Sequence, residues 1–172
     1  MSAWRTLATS ITIGLIAALS ASPAFAGRVV AYESGNPAGA IVISQTARTL
    51  YLILDSHMAI AYPVAVAKPG KTWSGSARIE AKFVAPAWSP PMSVKRDHPE
   101  LPDVIPGGSP LNPMGARAIT LDRDEIAIHG TTERMRASIG TAASYGCIRM
   151  YNEDVIDLFD RVAVGAPVMM MR

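Results

Sequence analysis

The feature that most constrains this chain is a series of short runs rich in β-branched and aromatic residues, each closed by a polar, glycine or proline break. In the first half these runs cover residues 41–43, 49–54 and 59–67. Their length and spacing predict strands of a β-meander. Pro63 lies inside the third run and indicates a strand edge or a bulge, because proline has no N–H to donate. The chain is therefore expected to be mainly β, as a sandwich or a barrel.

The segment from residue 69 to residue 115 has a different character. Eight prolines lie between positions 86 and 113, and they are expected to prevent regular structure over much of it. A loop of this length in a small domain is usually functional or disordered. We expect it to form the wall of a cleft.

The second half predicts two more strands, a helix and a closing strand. The strands cover residues 118–121 and 126–128, with a turn at 122–125, so that His129 ends a strand. The apolar residues of the helix recur at i, i+3, i+4 and i+7, namely Val155, Leu158, Phe159 and Val162. Asn152 is placed to cap the start of this single C-terminal helix.

The first 26 residues have the pattern of a secretory signal peptide. Arg5 supplies a positive start, residues 11–19 are apolar, and small residues at 24–26 mark a cleavage point before Gly27. The predicted divisions are a leader at 1–26, a lead-in at 27–38 and one domain at 39–172. An uncleaved membrane anchor is the competing interpretation, although Thr, Ser and Pro23 dilute the apolar run. The prediction is an exported, periplasmic protein without a stable membrane span after cleavage.

Size and charge exclude several classes of protein. Removing the leader from the 172 residues leaves 146, which is about the size of one domain. The leader carries one basic residue, so 15 basic and 14 acidic residues remain. The basic residues are scattered, which argues against a nucleic-acid partner.

Cys147 is the only cysteine in the chain and cannot form an internal disulfide. It is therefore an inert buried thiol, an intermolecular bridge or a reactive group. Thiols react as thiolates, and His129 is the natural base for this one. Gly146 permits a close backbone approach beside the sulfur, so that nearby N–H groups could face an oxyanion. Gly130 leaves its carbonyl accessible to the imidazole, which favours a reactive pair over a structural one.

Two other kinds of site fit poorly. The papain-type signature has its cysteine near the mature N-terminus and its histidine far downstream, whereas the order here is reversed. No metal is predicted, because His57, His98, His129 and Cys147 lack the paired spacing of zinc ligands. His57 and His98 are expected to be structural residues of the surface.

A family resemblance rests on the pattern around these residues. His129 is followed, after fourteen intervening residues, by Ser144-x-Gly146-Cys147-Ile148-Arg149. This resembles the signature of the L,D-transpeptidases of the YkuD type, also described as ErfK-like. Other matching pieces cover 69–75, 88–91, 112–116, 128–131, 139–140 and 154–168, so the resemblance extends over most of the chain from about residue 39.

The resemblance implies a specific reaction and no cofactor. In this family the cysteine attacks the third residue of a peptidoglycan tetrapeptide stem, releases D-alanine and leaves a thioester. An amine of a second stem then forms a 3→3 cross-link, while some relatives use a lysine of an outer-membrane lipoprotein or use water. Carbapenems are expected to acylate the same thiol.

The resemblance also implies roles for individual residues. Cys147 is the nucleophile and His129 is the base. Gly146 and the backbone amide of Cys147 are the implied oxyanion-hole elements, and Tyr145 and Gly130 contribute further backbone groups beside them. Ser144 and Arg149 orient the turn or bind a substrate carboxylate, although Arg149 can equally be a surface ion-pair partner. Many family members have a second histidine where this chain has Tyr145, which predicts altered substrate fit or pH profile.

Three functions remain open from the sequence. The first is a transpeptidase. The second is a hydrolase on the same scaffold, in which water resolves the thioester. The third is a catalytically silent wall-binding domain in which Cys147 belongs to the core, and an intact histidine–cysteine pair argues against it.

Overall fold

The computed structural model describes residues 26–172. The predicted signal peptide therefore lies outside the described residues, except for Ala26. In the described part of the chain, the strands are β1 Arg28–Ala31, β2 Ile41–Ser44, β3 Thr49–Ile53, β4 Met58–Pro63, β5 Val66–Ala67, β6 Gly75–Val84, β7 Arg117–Leu121, β8 Ala127–His129, β9 Ala142–Ser144, β10 Ile148–Arg149 and β11 Pro167–Met171. The helices are α1 Met92–Asp97, a 3₁₀ helix at Glu133–Ser138 and α2 Asn152–Arg161.

Most strands join one large mixed sheet. Its nine strands lie in the order β1-β4-β3-β2-β11-β6-β7-β8-β10, and β5 pairs with β9 in a separate two-stranded ribbon. The meander predicted from the first half is confirmed, because β2, β3 and β4 pair as antiparallel neighbours. Two pairings are parallel within the large sheet: β11 with β2, and β10 with β8. The second of these positions the residues of the site.

Strand β6 joins the two halves of the large sheet. Its first residues pair with β11 and its later residues pair with β7, with a register shift between Ile79 and Ala81. Apolar side chains from both halves pack in one buried cluster with α2. Each large apolar side chain buried there contributes about 1.5–3 kcal/mol. The mainly β prediction is therefore confirmed, with both halves of the sheet facing one core.

Helix α2 is confirmed, but its N-terminus differs from the prediction. Val155 and Leu158 are fully buried against the sheet. The residue at the N-cap position is Tyr151, and no side chain caps the helix. The Asn152 side chain instead accepts hydrogen bonds from the N–H groups of Ala116 and Thr131, and it donates to the Thr131 carbonyl. The capping prediction was wrong because the Asn152 side chain bonds to backbone groups of Ala116 and Thr131. These residues are distant in sequence, so no local pattern indicates the contacts.

The proline-rich segment contains more regular structure than expected. Its first part is the ten-residue strand β6, and α1 follows Pro90 and Pro91. Neither β6 nor α1 contains an internal proline that would break it, apart from the prolines that precede α1. Proline is well tolerated just before a helix. The prediction of a single helix was therefore incomplete, since α1 and the 3₁₀ helix add to α2.

A buried asparagine holds the rest of the proline-rich loop. Asn112 is 2% exposed, and its amide group donates to the carbonyls of Pro86, Ile105 and Pro106. The carbonyls of Ile105 and Pro106 also accept backbone hydrogen bonds, from Trp88 and Ser109. The side chain therefore adds to the backbone hydrogen bonds of the loop and joins residue 86 to residues 105–106.

Two further observations concern the ends of the molecule. The predicted lead-in at 27–38 includes β1, which pairs with β4 from Arg28 to Ala31. Between residues 26 and 172, no helix has the length and apolar character needed to cross a membrane.

Candidate active site

A cavity of about 650 Å³ lies between the sheet, the proline-rich loop and the 3₁₀ helix. Its walls include His129, Cys147 and Arg149 from the sheet side, with Trp88 and Pro113 from the loop. The proline-rich loop thus forms a cleft wall, as the sequence predicted. The two residues of the predicted reactive pair line the same cavity.

The parallel pairing of β8 with β10 brings the central side chains together. Arg149 lies directly opposite His129 in this pairing, and Ile148 lies opposite Ile128. Cys147 immediately precedes β10, two residues before Arg149. Side chains two apart along an extended chain project to the same side. The strand register therefore brings the sulfur, the imidazole and the guanidinium to one wall of the cavity.

His129 is buried and held in one orientation. It is 4% exposed, and its Nδ1 lies 2.8 Å from the carbonyl oxygen of Gly130. A carbonyl oxygen only accepts hydrogen bonds, so Nδ1 carries the hydrogen and Nε2 retains its lone pair. Burial, followed by the charge of Arg149, lowers the pKa of His129 to about 4, although the carbonyls of Gly130 and Pro113 act in the opposite direction. The imidazole is therefore neutral and able to accept a proton at neutral pH.

Cys147 is partly exposed and its thiol is protonated at rest. The S–H donates to the backbone carbonyl of Glu125, with 3.3 Å between sulfur and oxygen. Burial raises the pKa of the Cys147 thiol, while the N–H of Ala127 and the charge of Arg149 act in the opposite direction. The sequence predicted a thiol ionised beside its base, whereas the pair rests neutral. The cavity therefore holds a protonated thiol and a neutral imidazole.

The turn from Ser144 to Cys147 is closed by the Ser144 hydroxyl. This hydroxyl donates to the Cys147 carbonyl at 2.5 Å and accepts from the Gly146 N–H at 3.2 Å. Ser144 is 2% exposed, so its role is to hold the turn. The Gly146 N–H is occupied by this contact. Among residues 26–172, the N–H groups of Tyr145 and Cys147 have no hydrogen-bond acceptor, which makes them available to an oxyanion.

The surroundings of Gly146 and Gly130 leave no room for a side chain at either position. Gly146 has φ +140, and a Cβ there would lie 2.7 Å from a methyl group of Ile126. A Cβ at Gly130 would overlap the side-chain oxygen of Asn152. Both positions therefore need glycine, Gly146 for its backbone conformation and Gly130 for close packing.

Arg149 is a buried cation with spare hydrogen-bonding capacity. It is 8% exposed, and its Nη1 donates to the Ser138 hydroxyl at 2.7 Å. Its Nε is buried and has no partner within residues 26–172. Burying a guanidinium with an unpaired N–H is costly unless a ligand completes the contacts. Its position on the cavity wall fits the predicted contact with a carboxylate, and its burial does not fit a surface ion pair.

Tyr145 connects the turn to the opposite wall of the cavity. Its hydroxyl donates to Asp97 at 2.6 Å, and Asp97 is the last residue of α1. The ammonium group of Lys68 lies 3.6 Å from the centre of the Tyr145 ring and 3.7 Å from the Asp97 carboxylate. The Tyr145 hydroxyl and Lys68 lower the pKa of Asp97. Tyr145 thus anchors α1 to the turn that precedes Cys147.

The two remaining histidines differ from one another. His57 is exposed and pairs with Glu33 at 3.0 Å, in agreement with the predicted surface role. His98 is half-exposed and contacts Glu100, but it also lines the cavity, which the sequence did not indicate. The sequence also missed Asp97 and Glu125. Asp97 contacts Tyr145 across 48 residues of sequence, and Glu125 contacts Cys147 across 22 residues.

Comparison with known proteins gives a consistent result. Residues 38–170 match the family model described as the YkuD L,D-transpeptidase catalytic domain. A relative named as a probable L,D-transpeptidase, ErfK/SrfK of Escherichia coli (strain K12), is 36% identical over 138 residues. That alignment covers 76% of this chain and 43% of the relative, so the chain spans less than half of that protein's length.

Solved structures share the fold. L,D-transpeptidase 3 from Mycobacterium tuberculosis gives a TM-score of 0.61 at 18% identity, covering 79% of this chain and 62% of the other. A Brucella melitensis chain named as a probable carnitine operon oxidoreductase caia is 39% identical, with a TM-score of 0.56. It covers 86% of this chain and 94% of its own. Both similarities confirm the architecture.

Proposed function

This chain belongs to the YkuD family of L,D-transpeptidase catalytic domains, and from that premise we propose that it transfers peptidoglycan stem peptides through a thioester on Cys147. The observation that carries the proposal is the lining of one cavity by Cys147, neutral His129 and two free backbone N–H groups. The name of the Brucella melitensis chain describes that protein and gives no reason to propose an oxidoreductase here.

The first half-reaction follows from this arrangement. The Cys147 sulfur attacks the carbonyl carbon of the third stem residue while the thiol proton passes to Nε2 of His129. The N–H groups of Tyr145 and Cys147 stabilise the oxyanion that forms. When the intermediate collapses, the C–N bond breaks, and the imidazolium gives its proton to the departing amine of D-alanine. The Gly130 carbonyl keeps the ring oriented throughout.

The second half-reaction reverses these roles. An acceptor amine attacks the thioester, a C–N bond forms and the C–S bond breaks. His129 takes a proton from the attacking nitrogen and returns one to the sulfur. The charge of Arg149, whose guanidinium is held by Ser138, attracts a carboxylate of the stem to this wall of the cavity.

The choice between transfer and hydrolysis is tested by product analysis. Purified protein is incubated with tetrapeptide muropeptides, and the products are identified by mass spectrometry. We expect dimers that lack one D-alanine, formed by the wild type and not by Cys147→Ala. Cleaved monomers alone would indicate the hydrolase, and unchanged tetrapeptide would contradict the proposed function.

Export is part of the proposal, with cleavage before Gly27. Asp154 in α2 is 5% exposed, and burial together with Glu153 raises its pKa to about 6, while the Gly27 N–H lowers it. Cleavage at this bond would place a positively charged α-amino group at that carboxylate. Such an ion pair would offset the cost of burying Asp154. N-terminal sequencing of protein recovered from the periplasm tests both the cleavage position and the localisation.

Removing the Tyr145 hydroxyl is expected to weaken donor binding. In Tyr145→Phe, α1 loses its hydrogen bond to the turn that carries Cys147, so the cavity wall is held less firmly. We expect the KM for the tetrapeptide donor to rise about threefold to tenfold, with kcat changed by less than about twofold. Steady-state D-alanine release measures both values.

Tyr151→Phe is the matched control for this prediction. The Tyr151 ring packs beside Arg136, and within residues 26–172 its hydroxyl has no hydrogen-bond partner. It should leave KM unchanged. If the two variants behave alike, Tyr145 does not position the cavity wall.

A further inference from the structure

Glu125 brings a negative charge close enough to the nucleophile to raise the pKa of its thiol. Glu125 lines the cavity, and its backbone oxygen accepts the hydrogen bond from the Cys147 thiol at 3.3 Å. The side chain is exposed and has no ion-pair or hydrogen-bond partner anywhere in residues 26–172. An unpaired negative charge therefore lies at the wall from which the sulfur attacks.

Neither the backbone nor the nucleophile explains a glutamate at this position. Glu125 has φ +59, in the left-handed region where glycine, asparagine and aspartate are the favoured residues. Its negative charge raises the pKa of the Cys147 thiol, which opposes formation of the thiolate. A glycine or an asparagine would form the same turn without either disadvantage. Unfavourable backbone conformations of this kind concentrate at functional sites.

The cavity is lined by charges of both signs from different segments. Asp124 and Glu125 belong to the turn between β7 and β8, Arg134 belongs to the 3₁₀ helix, and Arg149 belongs to β10. Arg134 is exposed and has no ion-pair partner among the residues described. A ligand that carries both a carboxylate and an ammonium group would therefore be bound in one orientation. Its carboxylate would face the arginines and its ammonium would face Glu125.

We propose that Glu125 binds the ammonium group of the acceptor next to Cys147, and so directs the acyl-enzyme toward an amine instead of water. This inference rests on the proposed thioester chemistry and identifies the acceptor class as a primary amine. The ammonium of a diamino acid in a second stem and that of a lysine side chain share this chemistry. Binding at Glu125 places the nitrogen beside the thioester formed on the neighbouring sulfur.

The proton balance of this step is complete without another reactant. The bound ammonium releases one proton to solvent and becomes a free amine. The amine attacks the thioester carbon, the C–S bond breaks, and the second proton passes through His129 to the sulfur. Glu125 holds the nitrogen in place and forms no covalent bond.

Glu125→Gln tests the proposal by partition of the acyl-enzyme. The donor is a tetrapeptide stem, the amine probe is Nα-acetyl-lysine, and water competes with it. The ratio of amide product to hydrolysed product should fall about threefold to tenfold, as expected for loss of one partly exposed charge contact. Acylation of Cys147, measured separately by D-alanine release, should not fall, because the substitution removes a charge that opposes thiolate formation. Glu125→Lys should lower the ratio further, because it repels the ammonium.

Glu80→Gln is the matched control, since Glu80 is an exposed residue of β6 outside the cavity. Its ratio should equal that of the wild type. An unchanged ratio in Glu125→Gln overturns the inference while leaving the thioester intact. A wild type that forms the thioester but never transfers it to the amine also overturns it. A wild type that forms no thioester contradicts the proposed function itself.

Discussion

Replacing Cys147 with alanine is expected to lower D-alanine release from a tetrapeptide donor by at least about 10³-fold, because the variant has no atom that can form the thioester. The side chain is small and partly exposed to the cavity. Its removal should therefore change the free energy of unfolding by only about 1 kcal/mol or less. The loss of activity would then be chemical. Activity is measured by coupled detection of D-alanine, and stability by thermal unfolding.

Cys147→Ser sharpens this test. The hydroxyl retains nearly the shape of the thiol, but its proton is much harder to remove. A serine variant should therefore remain folded and be almost as inactive as the alanine variant. If either variant keeps a tenth or more of the wild-type rate, the nucleophile has been assigned to the wrong residue.

Replacing His129 with glutamine is expected to reduce kcat/KM by about 10²–10⁴-fold, the range for loss of a general base. The neighbouring cation Arg149 has no lone pair to offer and cannot replace the imidazole as the base. His57→Gln is the matched control, because His57 is exposed and pairs only with Glu33. It should keep the wild-type rate. Equal rates for both variants would exclude His129 as the base.

The pH profile tests the state of the same imidazole. Because burial lowers the pKa of His129 to about 4, the ring stays neutral as the pH falls through the range in which an ordinary histidine becomes charged. The acid limb of kcat/KM should therefore have its midpoint near pH 4, below which protonation removes the base. The profile is measured from pH 3.5 to 8. A midpoint near the ordinary histidine value would contradict a buried, neutral base.

Parts of the fold that depend on local pattern were predictable from the sequence. The runs at 41–43 and 49–54 became β2 and β3, since their alternation and β-branched residues are local signals. Helix α2 followed from apolar residues at helical spacing. Strand β6 was missed because it contains charged and small residues and lies beside the proline-rich segment. Its extended conformation depends on pairing with β7 and β11, which are distant in sequence.

The site divides in the same way. Cys147, His129 and the glycines beside them were predicted from motif and spacing. The neutral state of the thiol and the imidazole was not predicted. Burial on a cavity wall determines the pKa of each group, and no local pattern reports that burial. The contact of Tyr145 with Asp97 likewise depends on a helix 48 residues away. The Gly146 N–H donates to the Ser144 hydroxyl because of the geometry of the turn, which the sequence does not specify.

The most direct test of the account is intact-mass analysis of the protein after incubation with a carbapenem. If Cys147 is the nucleophile, we expect one adduct per wild-type molecule, formed on the Cys147 sulfur, and none on Cys147→Ala. The adduct should form much more slowly on His129→Gln, since the thiol then lacks its base. Equal labelling of the wild type and Cys147→Ala would show that another residue is the nucleophile.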